Sequence, residues 1–313
     1  MRRADGRARR YTVTLLGLAL LLALLIGVAA WQLGGPVAVK AGPAPLAAPS
    51  DAANVGLGMS PTASASPTAS ASPTPRQVDR RKLAKAIEKA VKGNARVSVS
   101  VSDLTDGTSY TYGASRRFVT ASIVKVDILA ALLLQAQQQG RVLTASEKSL
   151  ATRMIENSDN AAANALWYAI GTEAGLTKAN RRLGLQETTA TSVSWGLTST
   201  SARDQVRLLN ALVSGDGPLS GRSRRYVLSL MSRVDTTQDW GVSAGAAAGD
   251  AVALKNGWLP RSADGGLWVI NSIGRIKGDH EYSIAVLSDR NPSMDSGVAL
   301  VETVTETVLN ELS

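Results

Sequence analysis

Ser122 and Lys125 are the first residues of this chain whose types and spacing indicate chemistry. They lie three residues apart in the apolar segment VTASIVKVDILAALLLQ, which predicts a loop running into a long helix. At this spacing two side chains stack on one face of a helix. A lysine one turn beyond a serine can take the hydroxyl proton if burial or a second cation lowers the pKa of the lysine. This Ser/Thr-x-x-Lys pattern occurs once in the sequence and predicts an activated serine nucleophile.

Two later segments carry further polar groups. The segment MIENSDN joins two predicted helices, so that Ser158 and Asn160 project from a loop. The segment ALKNGW places Lys255 at the end of a predicted strand, beside Gly257, which permits close backbone approach. Each segment also has an ordinary structural explanation, a helix cap in the first and a charged strand end in the second. It is their order after Ser122 and Lys125 that favours a shared site.

The order S-x-x-K, S-D-N and K-x-G resembles the motif set of the class A β-lactamases and penicillin-binding proteins. The resemblance covers Val78 to Ser313. It implies that Ser122 attacks the carbonyl of a β-lactam or a peptide, that Lys125 activates it, and that Ser158 passes a proton to the leaving nitrogen.

The resemblance also implies the substrate contacts. Asn160 would hold the acylamino group of the substrate, and Lys255 would attract its carboxylate and help to lower the pKa of Lys125. The backbone N–H groups of Ser122 and Trp258 would form the oxyanion hole. Asn256 and Gly257 complete the predicted substrate-binding positions.

This sequence departs from the family pattern in two places. Asn256 stands where the family has Thr or Ser, whose hydroxyl binds the substrate carboxylate. Between Leu183 and Asp204 the family has a loop with a Glu that activates the hydrolytic water. Here that loop is short and its one carboxylate before Asp204 is Glu187, which we interpret as a surface charge. The resulting hypothesis is that acylation is supported, whereas deacylation is impaired or uses another group.

The surrounding elements predict an α+β fold of the β-lactamase type. Two strands come early and three come late, with an amphipathic helix at each end of the domain and an almost entirely helical segment between. This order predicts one antiparallel sheet of about five strands, closed by the terminal helices and packed beside a helical subdomain. The predicted strands are 96–103, 109–112, 251–255, 267–276 and 281–289, and the predicted terminal helices are 79–92 and 295–312.

The N-terminal part differs in composition from the rest. Residues 1–10 are basic, residues 11–34 carry no charge and predict a transmembrane signal-anchor, and residues 35–76 predict a disordered Pro/Ala/Ser/Thr-rich stalk. The prediction is a single-pass protein of the bacterial plasma membrane, with the domain 77–313 on the extracellular face. A signal peptide cleaved after Val28-Ala29-Ala30, followed by secretion, is the alternative.

Composition excludes several classes of site. The chain has no cysteine and one histidine, His280, so the sequence predicts no disulfide, no lipid anchor on cysteine, no metal site and no cofactor. Its net charge is +9, but there is no basic run with interleaved aromatic residues, so nucleic acid is not expected as a partner. The expected partners are a β-lactam or cell-wall peptide substrate and the membrane.

Three alternatives remain open. The segment GVSAG matches a G-x-S-x-G nucleophile elbow around Ser243, with His280 downstream, but it lacks the strand–turn–helix context. A non-catalytic module that binds envelope polymer would explain the missing Glu. A D-Ala peptidase or transpeptidase of the cell wall shares the acylation chemistry. The sequence favours a serine hydrolase that forms a Ser122 acyl-enzyme with β-lactams and hydrolyses it slowly.

Overall fold

The structure is a computed structural model that describes residues 74–313. The predicted basic segment 1–10, the transmembrane segment 11–34 and most of the stalk 35–76 lie outside these residues. Among the helices formed by residues 74–313, none combines the length and the apolar character needed to cross a membrane.

A five-stranded antiparallel sheet organises the domain, in the order β2-β1-β7-β6-β5. A second, two-stranded sheet pairs β3 with β4. The strands are β1 (Arg96–Asp103), β2 (Ser109–Tyr112), β3 (Phe118–Val119), β4 (Ser199–Thr200), β5 (Ala251–Arg261), β6 (Leu267–Lys277) and β7 (Glu281–Asn291). The five-stranded sheet confirms the predicted topology, whereas the small sheet has no counterpart in the sequence prediction.

Eight α-helices are present in the described part of the chain. They are α1 (Arg80–Ala90), α2 (Val124–Gln138), α3 (Ala145–Glu156), α4 (Asn160–Ala169), α5 (Thr172–Arg182), α6 (Ala202–Val213), α7 (Gly221–Met231) and α8 (Met294–Leu312). Side-chain caps open several of them. The hydroxyl of Thr144 accepts from the Glu147 amide while the Glu147 carboxylate accepts from the Thr144 amide, which forms a capping box at the start of α3.

The sheet separates two hydrophobic cores. Alternating valines of β1, namely Val97, Val99 and Val101, are buried in the core that includes α1 and α8. The opposite core is built around α2, whose residues from Val124 to Leu134 are all buried. A helix that is apolar on every side must be enclosed, and α2 packs against α3, α4, α5 and α7. This places the start of α2 between the sheet and the helical layer.

Strand β5 is longer than predicted. We expected it to end at Lys255, but it continues to Arg261, so that Lys255 and Gly257 lie inside the strand. The strand contains Pro260, which cannot donate to a sheet ladder. Within the described residues β5 is an edge strand that pairs with β6 alone, and it therefore tolerates this residue.

The start of the described chain is fixed to the other edge of the sheet. The guanidinium of Arg76 donates to the carboxylates of Asp103 and Asp106, at the turn between β1 and β2. His280, in the turn before β7, brings its Nδ1 to 2.7 Å from Asp103 Oδ2. Asp103 is fully buried, and the guanidinium of Arg76 pairs with its charge.

Candidate active site

Ser122 lies on a tight turn rather than in the α-helix itself. It is the middle residue of a 3₁₀ turn, Ala121–Ile123, that runs directly into α2. Ala121 has a φ of 48°, a left-handed conformation that is costly for a residue with a Cβ. The Nδ2 of Asn271, on β6, donates to the carbonyls of Val119 and Thr120 at 2.8 and 3.0 Å. The sheet thus holds the strained turn in place.

Strand β5 runs against the backbone of the same turn. A Cβ at Gly257 would lie 2.7 Å from the Ser122 nitrogen, 2.8 Å from the Ile123 nitrogen and 2.8 Å from the Thr120 oxygen. Only a glycine permits this approach without moving the backbone. The outer edge of β5 therefore lies beside the Ser122 amide.

Lys125 is fully buried and hydrogen-bonded on several sides. Its Nζ donates to the carbonyl of Ser158 at 2.6 Å, to the Ser158 hydroxyl at 3.1 Å and to Asn160 Oδ1 at 2.7 Å. Burial lowers the pKa of Lys125 to about 7, although the carboxylate of Asp159 acts in the opposite direction. A lysine with this pKa is partly unprotonated near neutral pH and can act as a base.

Lys255 reaches the same hydroxyl from the sheet. Its Nζ donates to Ser158 Oγ at 3.2 Å, to Gln238 Oε1 at 3.3 Å and to the carbonyl of Asn256 at 3.0 Å. Burial, and then the charge of Lys125, lower the pKa of Lys255 to about 7. Ser158 itself has a φ of 56°, which directs this residue between the two lysines at a conformational cost.

Asn256 points away from this group. Neighbouring residues of a strand face opposite sides of the sheet, and Lys255 already faces Ser158. The Nδ2 of Asn256 donates to the carbonyls of Gln238 and Trp240 at 2.8 and 3.0 Å. Asn256 is fully buried, and its side chain supports the segment that covers Lys255. We therefore leave Asn256 out of the substrate contacts that we propose below.

Glu187 is held by a separate set of contacts. Its carboxylate forms ion pairs with Arg117 and Arg203 and accepts from the Ser201 hydroxyl at 2.5 Å. Burial acts to raise the pKa of Glu187, but the bonds from Ser201 and Arg203 and the charge of Arg117 outweigh it. The pKa of Glu187 consequently lies below its ordinary value, and the group is poorly suited to act as a base. Its partners make it a structural ion pair rather than an isolated surface charge.

An open pocket of about 400 Å³ lies over Ser122. Its lining consists of residues from the Ser122 turn, α4, the 194–197 segment and β5. They are Ala121, Ser122, Asn160, Ser194, Trp195, Gly196, Leu197, Trp258 and Leu259. Among the residues that the structure describes, this lining contains no carboxylate.

Sequence analysis missed Trp195. Its ring centroid lies 4.9 Å from Lys125 Nζ, and its Nε1 donates to Asn164 Oδ1 at 2.7 Å. The available signal was that Trp195 is the one aromatic residue between Leu183 and Asp204, in the loop where a carboxylate had been sought.

The alternative nucleophile Ser243 is ruled out by its surroundings. The segment Gly241–Gly245 forms a 3₁₀ turn packed beside α8, not the strand–turn–helix of a nucleophile elbow. His280, the required base, is engaged with Asp103 at the turn before β7. The G-x-S-x-G interpretation is therefore wrong.

Comparison with known proteins points to one family. Residues 81–146 and 138–312 match the sequence model of the Beta-lactamase enzyme family. A protein of Mycobacterium tuberculosis named "Putative lipoprotein LppW" is 29% identical over 260 residues, which cover 80% of this chain and 75% of that protein; the protein of the same name in Mycobacterium bovis gives the same values.

Solved structures of the same fold accompany this match. The structure of PBP-A superposes with a TM-score of 0.66 at 23% identity, covering 77% of this chain and 99% of that one. A point mutant of PBP-A, solved as an acyl-enzyme complex with penicillin G, gives a TM-score of 0.63 at 24% identity over 74% and 96% of the two chains. The extended-spectrum β-lactamase TLA-1 gives a TM-score of 0.67 at 20% identity, covering 74% of this chain and 99% of that one.

Proposed function

Because the chain belongs to the Beta-lactamase enzyme family, we propose that it is a serine hydrolase in which Ser122 forms an acyl-enzyme with β-lactams. The observation that carries this proposal is the shared contact of Lys125 and Lys255 with the Ser158 hydroxyl, next to the Ser122 turn. A non-catalytic module has no need of two buried lysines whose pKa values both lie near 7.

The acylation step uses these groups in sequence. Unprotonated Lys125 takes the proton of the Ser122 hydroxyl as its oxygen adds to the lactam carbonyl. The backbone N–H groups of Ser122 and Trp258 stabilise the negative oxygen of the tetrahedral intermediate. When the C–N bond breaks, the ring nitrogen takes a proton from the Ser158 hydroxyl, which recovers one from a neighbouring lysine. The product is an ester on Ser122 with the amine of the opened ring.

Substrate binding uses the remaining groups. Asn160 Oδ1 accepts from Lys125, so its Nδ2 is left to donate to an acylamino carbonyl of the substrate. Lys255 supplies positive charge for a substrate carboxylate, and Gly257 gives the substrate access to the edge of β5. An anionic substrate would offset the cost of holding two ammonium groups together.

Hydrolysis of the ester is expected to be slow. The lining of the pocket, in the described part of the chain, has no carboxylate that could activate water, and Glu187 is engaged with Arg117 and Arg203. We therefore assign efficient acylation and a long-lived adduct. A D-Ala peptidase or transpeptidase would use the same acylation groups and would differ in the fate of the acyl-enzyme.

The location that we propose for the protein rests on its N-terminal sequence and on the name of a relative. LppW is named as a lipoprotein, and the present chain has no cysteine to carry a lipid. We assign membrane attachment to residues 11–34 as a single transmembrane helix, with the hydrolase domain on the extracellular face. Extraction of the protein from membranes by detergent, but not by high salt or alkaline carbonate, tests this assignment.

The decisive experiment exposes the full-length protein to a penicillin and follows its intact mass and its tryptic peptides over time. The expected result is a mass increase equal to the whole penicillin, located on Ser122 and persisting for many minutes. The Ser122→Ala variant is the matched control and should show no adduct. Absence of any adduct on the wild-type protein would overturn the proposed function in favour of a binding module or a peptide-specific enzyme.

A further inference from the structure

Trp195 occupies the space next to the candidate base. Its ring centroid lies 4.9 Å from Lys125 Nζ, within the range of a cation–π contact. It also lines the pocket that contains Ser122. The 3₁₀ turn that carries it, Trp195–Leu197, packs directly against the turn that carries Ser122.

The position of Trp195 is fixed by hydrogen bonds from two sides. On one side its indole N–H donates to Asn164 Oδ1, on α4 and one helical turn beyond Asn160, at 2.7 Å. On the other side the Thr120 amide donates to the carbonyl of Thr198 at 2.8 Å, which ties the end of the segment to the residue preceding the Ser122 turn. The indole is thus held by the same two elements that carry the candidate catalytic groups.

The indole lies over Lys125, next to the groups that hydrogen-bond its Nζ. The other contacts of Nζ go to the Ser158 carbonyl and hydroxyl and to Asn160. The face of the Trp195 ring attracts the ammonium ion of Lys125, but the ring cannot act as a base that takes a proton from water. A water molecule that approached Lys125 from this side would have to displace the ring.

Deacylation needs a water molecule at this place. The water adds to the ester carbonyl and gives its proton to a base, after which the Ser122 oxygen leaves, regains a proton, and the free acid departs. In this site Lys125 is the candidate base, three residues after Ser122 in the sequence, and Trp195 lies beside it. Among the residues that the structure describes, the pocket lining offers no carboxylate that could hold the water at another position.

We infer that Trp195 sets the lifetime of the Ser122 acyl-enzyme, by keeping hydrolytic water away from Lys125 and from the ester. This inference rests on the proposed acylation of Ser122. Trp195 acts through Lys125 and through the exclusion of water, so it is a positioning residue rather than a catalytic one.

The test compares adduct lifetimes in full-length variants. The wild-type protein, Trp195→Ala and Trp195→Phe are labelled with a fluorescent penicillin, excess label is removed, and the decay of the labelled band and of the adduct mass is followed. Trp195→Ala is expected to shorten the half-life of the adduct about tenfold or more. Trp195→Phe, which keeps a ring but loses the bond to Asn164, is expected to give an intermediate half-life. Val193→Ala is the matched control, since Val193 is an exposed residue of the same loop outside the pocket lining.

The pH dependence of decay separates this role from a general loss of structure. In Trp195→Ala the decay rate should rise as pH increases through about 7, because unprotonated Lys125 can then accept a proton from the admitted water. Normal labelling of Trp195→Ala with an unchanged half-life would overturn the inference and leave the proposed function standing. If Trp195→Ala does not fold, an unchanged half-life in Trp195→Phe has the same meaning. A wild-type protein that is not labelled would overturn the proposed function and this inference together.

Discussion

Lys125 and Lys255 both donate to one hydroxyl group, that of Ser158, at 3.1 and 3.2 Å. Two ammonium ions this close to a common acceptor repel each other, and both are fully buried. Burial brings the pKa of each lysine down to about 7, and the charge of Lys125 adds to this lowering at Lys255, so the two are regarded as one titrating pair. The most useful state of the pair holds one proton: one lysine is a base and the other is a cation.

The rate of acylation should therefore depend on pH as a bell-shaped curve. It rises as the doubly protonated pair loses its first proton, because a free amine is then available to Ser122. It falls at higher pH when the second proton is lost, because the cation that attracts the substrate disappears. The second-order rate constant for labelling by penicillin, measured between about pH 5 and 10, tests this.

The same experiment with Lys255→Ala separates the two lysines. Without the neighbouring charge, the pKa of Lys125 should rise, and the ascending limb should move to higher pH. A wild-type rate that stays constant between about pH 6 and 8 would contradict the assignment of Lys125 as the base.

Gly257→Ala should slow acylation strongly. The added Cβ would come within 2.7 Å of the Ser122 nitrogen and must push the 3₁₀ turn away from β5. A displacement of this kind misplaces both the nucleophile and the adjacent N–H groups, and we expect a loss of about 10²-fold in acylation rate. Gly215→Ala is the matched control, because its Cβ would meet nothing within 4 Å. Equal labelling rates for the two variants would show that the close approach is not required.

Asp127→Asn should stabilise the protein increasingly as pH rises. The carboxyl of Asp127 is fully buried, neither oxygen has a hydrogen-bond partner among the described residues, and burial raises its pKa to about 8. When folding raises the pKa of a carboxyl, the free energy of unfolding falls with increasing pH by up to about 1.4 kcal/mol per pH unit. This decrease runs from the pKa of the unfolded state to the pKa of the folded state. The asparagine amide has no proton to lose over this range.

Melting temperatures of wild type and Asp127→Asn at about pH 5, 6, 7 and 8 provide the measurement. The difference should grow in favour of the variant up to about pH 8 and then remain constant. Asp216→Asn, at an exposed loop position, is the control variant. A constant difference for Asp127→Asn would mean that its carboxyl is already ionised in the folded protein at the lowest pH.

Glu187→Gln should leave the decay of the acyl-enzyme unchanged while lowering the melting temperature. The carboxylate joins Arg117, Arg203 and Ser201, so its loss leaves two guanidinium groups without their partner. We expect a destabilisation of about 1–2 kcal/mol. A slower decay of the penicillin adduct in this variant would instead identify Glu187 as the activator of water.

Sequence reasoning recovered the five-stranded sheet and the helical layer, and it named Lys125, Ser158 and Lys255, which hydrogen bonds bring together in the structure. Predictions of these features depend on local periodicity, on helix caps and on the order of motifs, and each of these signals lies within a short segment of sequence. The sequence prediction placed Asn256 among the substrate contacts because a motif lists residues in a line, whereas successive residues of a strand face opposite sides of the sheet. That alternation could have been applied to Lys255 and Asn256 before the structure was known.

Trp195 could not be found in this way. Its contact with Lys125 joins positions far apart in the sequence and depends on the path of an irregular loop. Hydrogen bonds with Asn164 and with Thr120 fix that path, and neither partner belongs to a motif. Irregular segments have no periodicity from which a side-chain direction could be inferred, and here such a segment forms one wall of the site.

The contacts of Arg76 with Asp103 and Asp106 determine which edge of the domain lies next to its N-terminal attachment. The contact lies at the turn joining β1 and β2, whereas Ser122 lies beside β5, at the opposite edge of the sheet. With neighbouring strands about 4.8 Å apart, the contacts of Arg76 at the β2 edge lie roughly 19 Å across the sheet from β5. A force applied through the N-terminus therefore acts on the β1–β2 edge of the sheet, which is remote from the Ser122 pocket. A protein or surface bound at that edge leaves the pocket accessible to a bulky polymer.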